Sequence, residues 1–108
     1  MKRTLIAGAV VAVTALLLAH AARSAADSFV PKNGFVPDAA TASRIAEAVW
    51  IPIYGEKVIA SEKPFKVSLH GDVWTVTGKD LPSGWAGGVA EADISKRDGR
   101  ILRVIHGQ

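Results

Sequence analysis

Six apolar residues, Ala42, Ile45, Ala46, Val49, Trp50 and Ile53, constrain this chain more than any other feature. Their offsets of 0, 3, 4, 7, 8 and 11 draw one stripe along a helix of about 3.6 residues per turn. The stripe predicts one amphipathic helix that must find an apolar surface to cover. Thr41, Arg44, Glu47 and Ala48 take its wet side. Asp38 stands at the entry, where a carboxylate accepts hydrogen bonds from free N–H groups and suits the positive helix end. Thr41 occupies the position at which a capping box needs Glu or Gln, so that box is missing. Pro52 has no N–H and crowds the carbonyl of Ala48, so the helix is expected to bend or end near Ile51, with Gly55 as a natural stop.

From Gly55 onward the pattern reads as strand. Residues 57–61 form a short run ending before Lys63-Pro64. Phe65, Val67 and Leu69 alternate with Lys66 and Ser68, which is a half-buried strand. After the tight turn His70-Gly71-Asp72, residues 73–77 return with Trp74 and Val76 on one face, completing a hairpin. Residues 78–87 are rich in turn formers. In the next strand, residues 88–95, Ala90, Ala92 and Ile94 face one way and Glu91 and Asp93 the other. Lys96-Arg97-Asp98-Gly99 is a turn that uses glycine's access to positive φ. Residues 100–106 are the last strand, whose adjacent pairs Ile101-Leu102 and Val104-Ile105 place apolar groups on both faces. The expected class is α+β: one main N-terminal helix packed on a curled antiparallel sheet of four to five strands. Its Ile45, Val49, Trp50 and Ile53 stripe is expected on the concave face.

The N-terminus reads as an address. Met1-Lys2-Arg3 is a short positive start, residues 5–19 carry no charge, and Ala19-His20-Ala21 and Ser24-Ala25-Ala26 are small-x-small cleavage sites. This is the pattern of a secretory signal peptide over residues 1–26. The uncharged run of 15 residues is shorter than the about 20 that a membrane-spanning helix needs, but Thr4 and Ala21-Ala22 extend it, so a retained N-terminal anchor stays open as the alternative to cleavage. The twin-arginine pattern is absent, and no cysteine offers a lipid-attachment site. The expected destination is the bacterial periplasm or the medium, with membrane contact only through the leader before cleavage. Residues 27–37 read as a leading arm, broken by two prolines and Asn33-Gly34, that Phe29, Val30, Phe35 and Val36 pin to the body. Residues 38–108 form a single domain.

Removing the leader changes the charge argument. The chain carries 13 Lys and Arg against 10 Asp and Glu, but Lys2, Arg3 and Arg23 lie in the leader, so the remainder balances at ten of each. The basic balance belongs to the leader, and the domain has no electrostatic footprint for nucleic acid. With no cysteine, stability must come from the core.

A search for chemistry returns little. No serine sits in a Gly-x-Ser-x-Gly elbow, and there is no cysteine nucleophile. The two histidines outside the leader, His70 and His106, have no metal-ligand spacing, and His70 reads as a solvated turn residue. The glycine-rich segment 78–88 lacks the Gly-Lys-Ser/Thr ending of a phosphate loop. Glu91 and Asp93 suit a solvated sheet face. No catalytic, cofactor or metal residues are expected. Trp85, in the loop Ser83-Gly84-Trp85-Ala86-Gly87-Gly88, reads either as a binding anchor or as a lid over one end of the core. Trp85, Gly87, Gly88 and His70 are the candidate partner-binding residues.

Several segments, in order, carry a resemblance. They are Gly34-Phe35-Val36-Pro37-Asp38-Ala39, Ile45-Ala46-Glu47-Ala48-Val49-Trp50, Pro52-Ile53-Tyr54-Gly55 and Val73-Trp74-Thr75-Val76. Gly87-Gly88-Val89-Ala90-Glu91-Ala92, Ile94-Ser95 and Asp98-Gly99-Arg100-Ile101-Leu102 follow. Together they resemble the bacterial immunity-protein family with the nuclear transport factor 2 (cystatin-like) fold, found in polymorphic toxin systems. The resemblance implies a small protein that binds a cognate protein toxin and blocks it, without catalysis or cofactor. Two other readings stay open: a small-ligand or hydrolytic cone lined by Trp50, Tyr54, Trp74 and a histidine, and an envelope protease inhibitor that pairs through a sheet edge.

Overall fold

The computed structural model describes residues 28–81 and 87–107. Residues 1–26, for which a signal peptide is expected, lie outside the described residues. Residues 28–30 belong to a separate N-terminal unit, in which Phe29 and Val30 are exposed. From Pro31 the chain builds one body. Helix α1 spans Ala39–Tyr54 and helix α2 spans Glu56–Ser61. Strands β1 (Lys66–His70), β2 (Val73–Thr77), β3 (Ala90–Ser95) and β4 (Ile101–His106) follow. The four pair antiparallel in the order β1-β2-β3-β4, an open meander with β1 and β4 as its edges. α1 packs across β1, β2 and β3. The arrangement is the expected α+β layer pair.

Asp38 starts α1 as its sequence position requires. Its carboxylate accepts from the Thr41 N–H at 2.8 Å and from the Thr41 hydroxyl at 2.6 Å. The Thr41 hydroxyl, with its N–H behind it, holds the Asp38 carboxyl below the ordinary carboxylate range. At the far end the Gly55 N–H donates to the Ile51 carbonyl at 2.9 Å, and Gly55 leaves the helix at φ 97°. The helix therefore continues through Pro52 to Tyr54 rather than ending near Ile51. The missing Pro52 N–H costs one rung, but the Gly55 rung closes the last turn behind it.

The buried line of α1 is Ala42, Ala46 and Trp50, with Ile45, Ile51 and Tyr54 packed half-buried beside it. Ile53 is 57% exposed. The apolar stripe is thus wider than the sheet beneath it, and its Ile53 margin is left in water. Trp50 has no exposed surface. Its ring meets Phe65 edge-on at 5.2 Å between centroids. Trp74 and Val76 of β2 and Ala90, Ala92 and Ile94 of β3 complete the core, as the two-residue alternation predicts. Small alanines on both layers let helix and sheet approach, and the two indoles fill the remaining space.

Residues 57–61 form a helical turn, not a strand, so among the described residues the sheet has four strands. The positive φ of Gly55 redirects the chain, Glu56 suits the start of a helix, and the Ser61 hydroxyl donates to the Val58 carbonyl at 2.6 Å. Ile59 is the buried residue of that turn. Five residues are too few for periodicity to separate strand from helix.

The arm is hydrogen-bonded into the body over residues 31–37. Phe35 and Val36 N–H groups donate to the Arg97 and Lys96 carbonyls, each at 3.0 Å. Trp74 Nε1–H donates to the Val36 carbonyl at 2.8 Å, and Val36 is buried while Phe35 is exposed. Gly34 has φ 83°, and a Cβ there would stand 2.4 Å from the Lys96 carbonyl oxygen. In β4 the register slips: Asp93 faces Arg103 but Ile94 faces Ile101, so Leu102 is the extra residue of a bulge. This is why the Ile101-Leu102 pair does not divide cleanly between faces. Val104 packs half-buried on the core, while Ile101, Leu102 and Ile105 are exposed.

Trp50 Nε1 has no hydrogen-bond partner among the described residues, whereas Trp74 Nε1 is bonded. Trp50→Phe and Trp74→Phe remove the same volume, but only the second strands a buried carbonyl. Trp74→Phe is expected to destabilise more than Trp50→Phe by at least about 1 kcal/mol, read from denaturant unfolding. Asp38→Ala is expected to weaken the acid limb of the stability curve. A lowered carboxyl contributes stability above the ordinary carboxylate range and loses it as pH falls through its folded value. Unfolding midpoints of wild type and variant measured down that range should converge.

Candidate functional site

The structure separates the candidate partner-binding residues. His70 ends β1 beside the Gly71-Asp72 turn and is exposed. Gly87 and Gly88 precede β3, beyond the opposite end of β2. The five residues of β2 that lie between span roughly 15 Å at about 3.3 Å per residue, so His70 does not join the glycines in one patch. Trp85 lies outside the described residues. Gly87 is exposed with φ 104°. Gly88 has a structural demand of its own: a Cβ there would fall 1.9 Å from the Gly107 carbonyl carbon. It is glycine because the chain end after β4 crosses directly over it.

Near that end of the sheet the fold builds a polar cluster. Glu62, the residue after α2, has a side chain only 8% exposed. Its Oε1 accepts from the Ala90 N–H at 2.7 Å. Gly78 N–H donates to the Ala90 carbonyl at 2.9 Å, so the carboxylate takes the place that a ladder carbonyl would fill. A Cβ on Gly78 would stand 2.4 Å from Glu62 Oε1. Glu62's own carbonyl accepts from the Lys79 N–H at 2.7 Å. Its Oε2 lies 3.2 Å from His106 Nε2, and His106 Nδ1 lies 3.2 Å from the Gly107 carbonyl oxygen. Both ring nitrogens face acceptors. A neutral imidazole has one N–H and serves one of them; the imidazolium serves both. The Tyr54 ring is tilted against the His106 ring at 5.0 Å.

This cluster ties α1, α2, β3 and β4 together, and its polar atoms are engaged in doing so. A buried carboxylate orienting a histidine is also the geometry of a general base with its positioning partner. Here the second ring nitrogen faces a backbone carbonyl, and no hydroxyl nucleophile among the described residues bonds to either nitrogen. The expected cone lining is equally committed. Trp50 and Trp74 are buried between helix and sheet, and the Tyr54 ring lies against His106. No group of three or more His, Cys, Asp or Glu able to hold a metal occurs among the described residues.

On the outer face of the sheet, Glu91 and Asp93 sit as the alternation predicts. Thr75 donates to Asp93 at 2.7 Å, and Arg103 pairs with Glu91 and, at 3.8 Å, with Asp93. The Glu62 cluster was invisible in the sequence.

Comparison with known proteins adds to this geometry. Residues 41–108 match a family described as NTF2 fold immunity protein. Two curated proteins of Escherichia coli (strain K12) are similar, both described as uncharacterized. YbbC is 40% identical over 53 residues, 49% of this chain and 43% of its own. YhhH is 36% identical over 76 residues, 70% of this chain and 60% of its own. The chain thus spans roughly half the length of the curated relatives it matches. No solved structure matches it.

Glu62→Ala leaves the Ala90 N–H buried without an acceptor and is expected to cost about 1–3 kcal/mol. Glu62→Gln keeps an acceptor oxygen and should cost less. Equilibrium unfolding of the two variants checks the order; equal losses would mean that the Ala90 bond contributes nothing.

Proposed function

The chain belongs to the NTF2 fold immunity protein family, and from that premise we propose that it is a non-enzymatic binding protein that neutralises a cognate bacterial toxin. The observation that carries this reading is the family match, which covers residues 41–108, from the first turn of α1 onward. The geometry is compatible with inhibition by occlusion. The space between helix and sheet is taken by Trp50 and Trp74, and the Glu62 carboxylate is spent on backbone and histidine bonds. Both observations favour a surface that binds over a cavity that turns over substrate, and both tell against the ligand-binding cone. The leader pattern in residues 1–26 adds a place to the proposal: protection in the periplasm or outside the cell.

The test is protection. Each product of the neighbouring genes that proves toxic to a sensitive host is expressed there, with the full chain or with a form lacking residues 1–26. The expected result is restored growth with the full chain and a stoichiometric complex of the two purified proteins. Protection by the full chain alone would support export. Failure of both forms to protect, with both proteins folded, overturns the proposal.

A further inference from the structure

The arm holds the one asparagine of the chain, Asn33, directly before Gly34. An asparagine side-chain carbonyl carbon can reach the backbone nitrogen of the next residue and close a succinimide ring. A following glycine has no Cβ to obstruct that approach. Asn33 is exposed in the turn Pro31-Lys32-Asn33-Gly34, whose Gly34 N–H donates to the Pro31 carbonyl at 3.1 Å. Attack by the Gly34 nitrogen has to give up that one bond.

Tertiary structure brings a cation to this pair. Lys96 Nζ donates to the main-chain carbonyl oxygen of Asn33 at 2.6 Å. That oxygen and the Gly34 nitrogen belong to one resonant peptide group. When the nitrogen loses its proton, negative charge spreads to the oxygen on which the ammonium already sits. A fixed positive donor thus stands where charge develops. The same pull takes some reactivity from the nitrogen. As with thiolates, the gain in ionised fraction exceeds that loss. The main chain of Lys96 is held on both sides: its N–H donates to the Asp72 carbonyl at 2.8 Å, and its carbonyl accepts from the Val36 N–H at 3.0 Å. Among the described residues its ammonium pairs with no carboxylate. The chemically related pair Asp98-Gly99 is placed differently. The Arg100 N–H holds the Asp98 carboxylate at 3.0 Å, and the Gly99 N–H donates to the Ser95 carbonyl at 2.9 Å.

We propose that Asn33 is a site of spontaneous deamidation in the folded protein, promoted by the Lys96 ammonium. Solvent hydroxide removes the Gly34 N–H proton, and the nitrogen attacks Asn33 Cγ. The bond from Cγ to the side-chain nitrogen breaks, and that nitrogen takes a proton from water and leaves as ammonia. Water then opens the succinimide. Cleavage of the ring bond at Cγ leaves aspartate on a normal backbone. Cleavage at the main-chain carbonyl carbon leaves isoaspartate, with an extra methylene in the backbone. The arm is too tightly seated for that insertion. Gly34 lies so close to the Lys96 carbonyl oxygen that a Cβ would stand 2.4 Å from it, and the next two N–H groups bond the Arg97 and Lys96 carbonyls at 3.0 Å. The isoaspartyl form therefore loosens the arm, together with the Val36 carbonyl that Trp74 holds.

Ageing the full chain at mildly alkaline pH, folded and in denaturant, tests this. Conversion is read from the mass of the peptide carrying residue 33, which isomerisation at Asp98 leaves unchanged. Folded Lys96→Met should convert at least about threefold more slowly than folded wild type. Lys96→Arg keeps the charge and should stay closer to the wild-type rate. In denaturant all three should convert alike, because Asn33 and Lys96 are 63 residues apart and meet only in the fold. In the aged folded sample the isoaspartyl fraction should exchange its Phe35 and Val36 amides faster than the unconverted fraction. Should Lys96→Met fail to fold, Lys96→Gln, also uncharged, takes its place. Folded wild type that keeps its amide while the denatured chain converts overturns the proposal, since the arm then protects Asn33. Equal rates in folded wild type and the folded uncharged variant overturn it too.

Discussion

The body depends on two tryptophans filling the space between one helix and one sheet. Trp50 comes from α1 and Trp74 from β2. The other contributors at the interface are small: Ala42 and Ala46 on the helix, Ala90 and Ala92 on β3. This pairing of large with small lets layers approach closely without voids. It also concentrates the apolar burial of a small, cysteine-free body in a few side chains. Trp74 is anchored at both levels, since its indole N–H also holds the Val36 carbonyl and so fixes the arm. Trp50 contributes packing alone, and its unpartnered N–H offsets part of that gain.

Polar groups close the two ends of the sheet differently. At one end the arm of residues 31–37 closes over the β3–β4 turn through Lys96 and Arg97, using backbone bonds and a Lys96 ammonium that donates to the Asn33 carbonyl at 2.6 Å. At the other, Glu62 reaches across from α2 to cap the β2–β3 ladder and meet His106. Close approaches at Gly34, Gly78 and Gly88 exist because these polar links draw backbone against backbone or carboxylate. The chemistry in the protein is thus mostly spent on holding itself together. What remains available to a partner is surface, and this agrees with a protein that acts by binding.

Much of the fold was legible in residue spacing. The stripe of α1, the β1–β2 hairpin and the inward set Ala90, Ala92 and Ile94 follow from periods of 3.6 and 2, and the Asp38 cap and the Gly55 stop from residue chemistry. The misreadings have physical causes. Residues 57–61 are too short for period to speak, and the turn of the chain at Gly55 made them helical. Pro52 came so near the helix end that one lost rung did not matter. Ile53 fits the stripe but lies beyond the edge of what the sheet covers. The bulge at Leu102 shifted the faces of β4, and no local pattern announces a bulge.

The candidate site was far less legible, because it is made of long-range contacts. Glu62 and His106 stand 44 residues apart in the chain, and nothing in either neighbourhood names the other. Which strands form the sheet edges is likewise a property of strand order. The sequence by itself determined the class of the fold, the polarity of each strand face and the balanced charge of the region after residue 26, since these rest on periodicity and composition. Tertiary structure alone decided that Trp50 and Trp74 are buried together between helix and sheet and that Glu62 caps a ladder. Those outcomes depend on which distant groups meet, and hydrogen bonds and packing between them form only when the whole body closes.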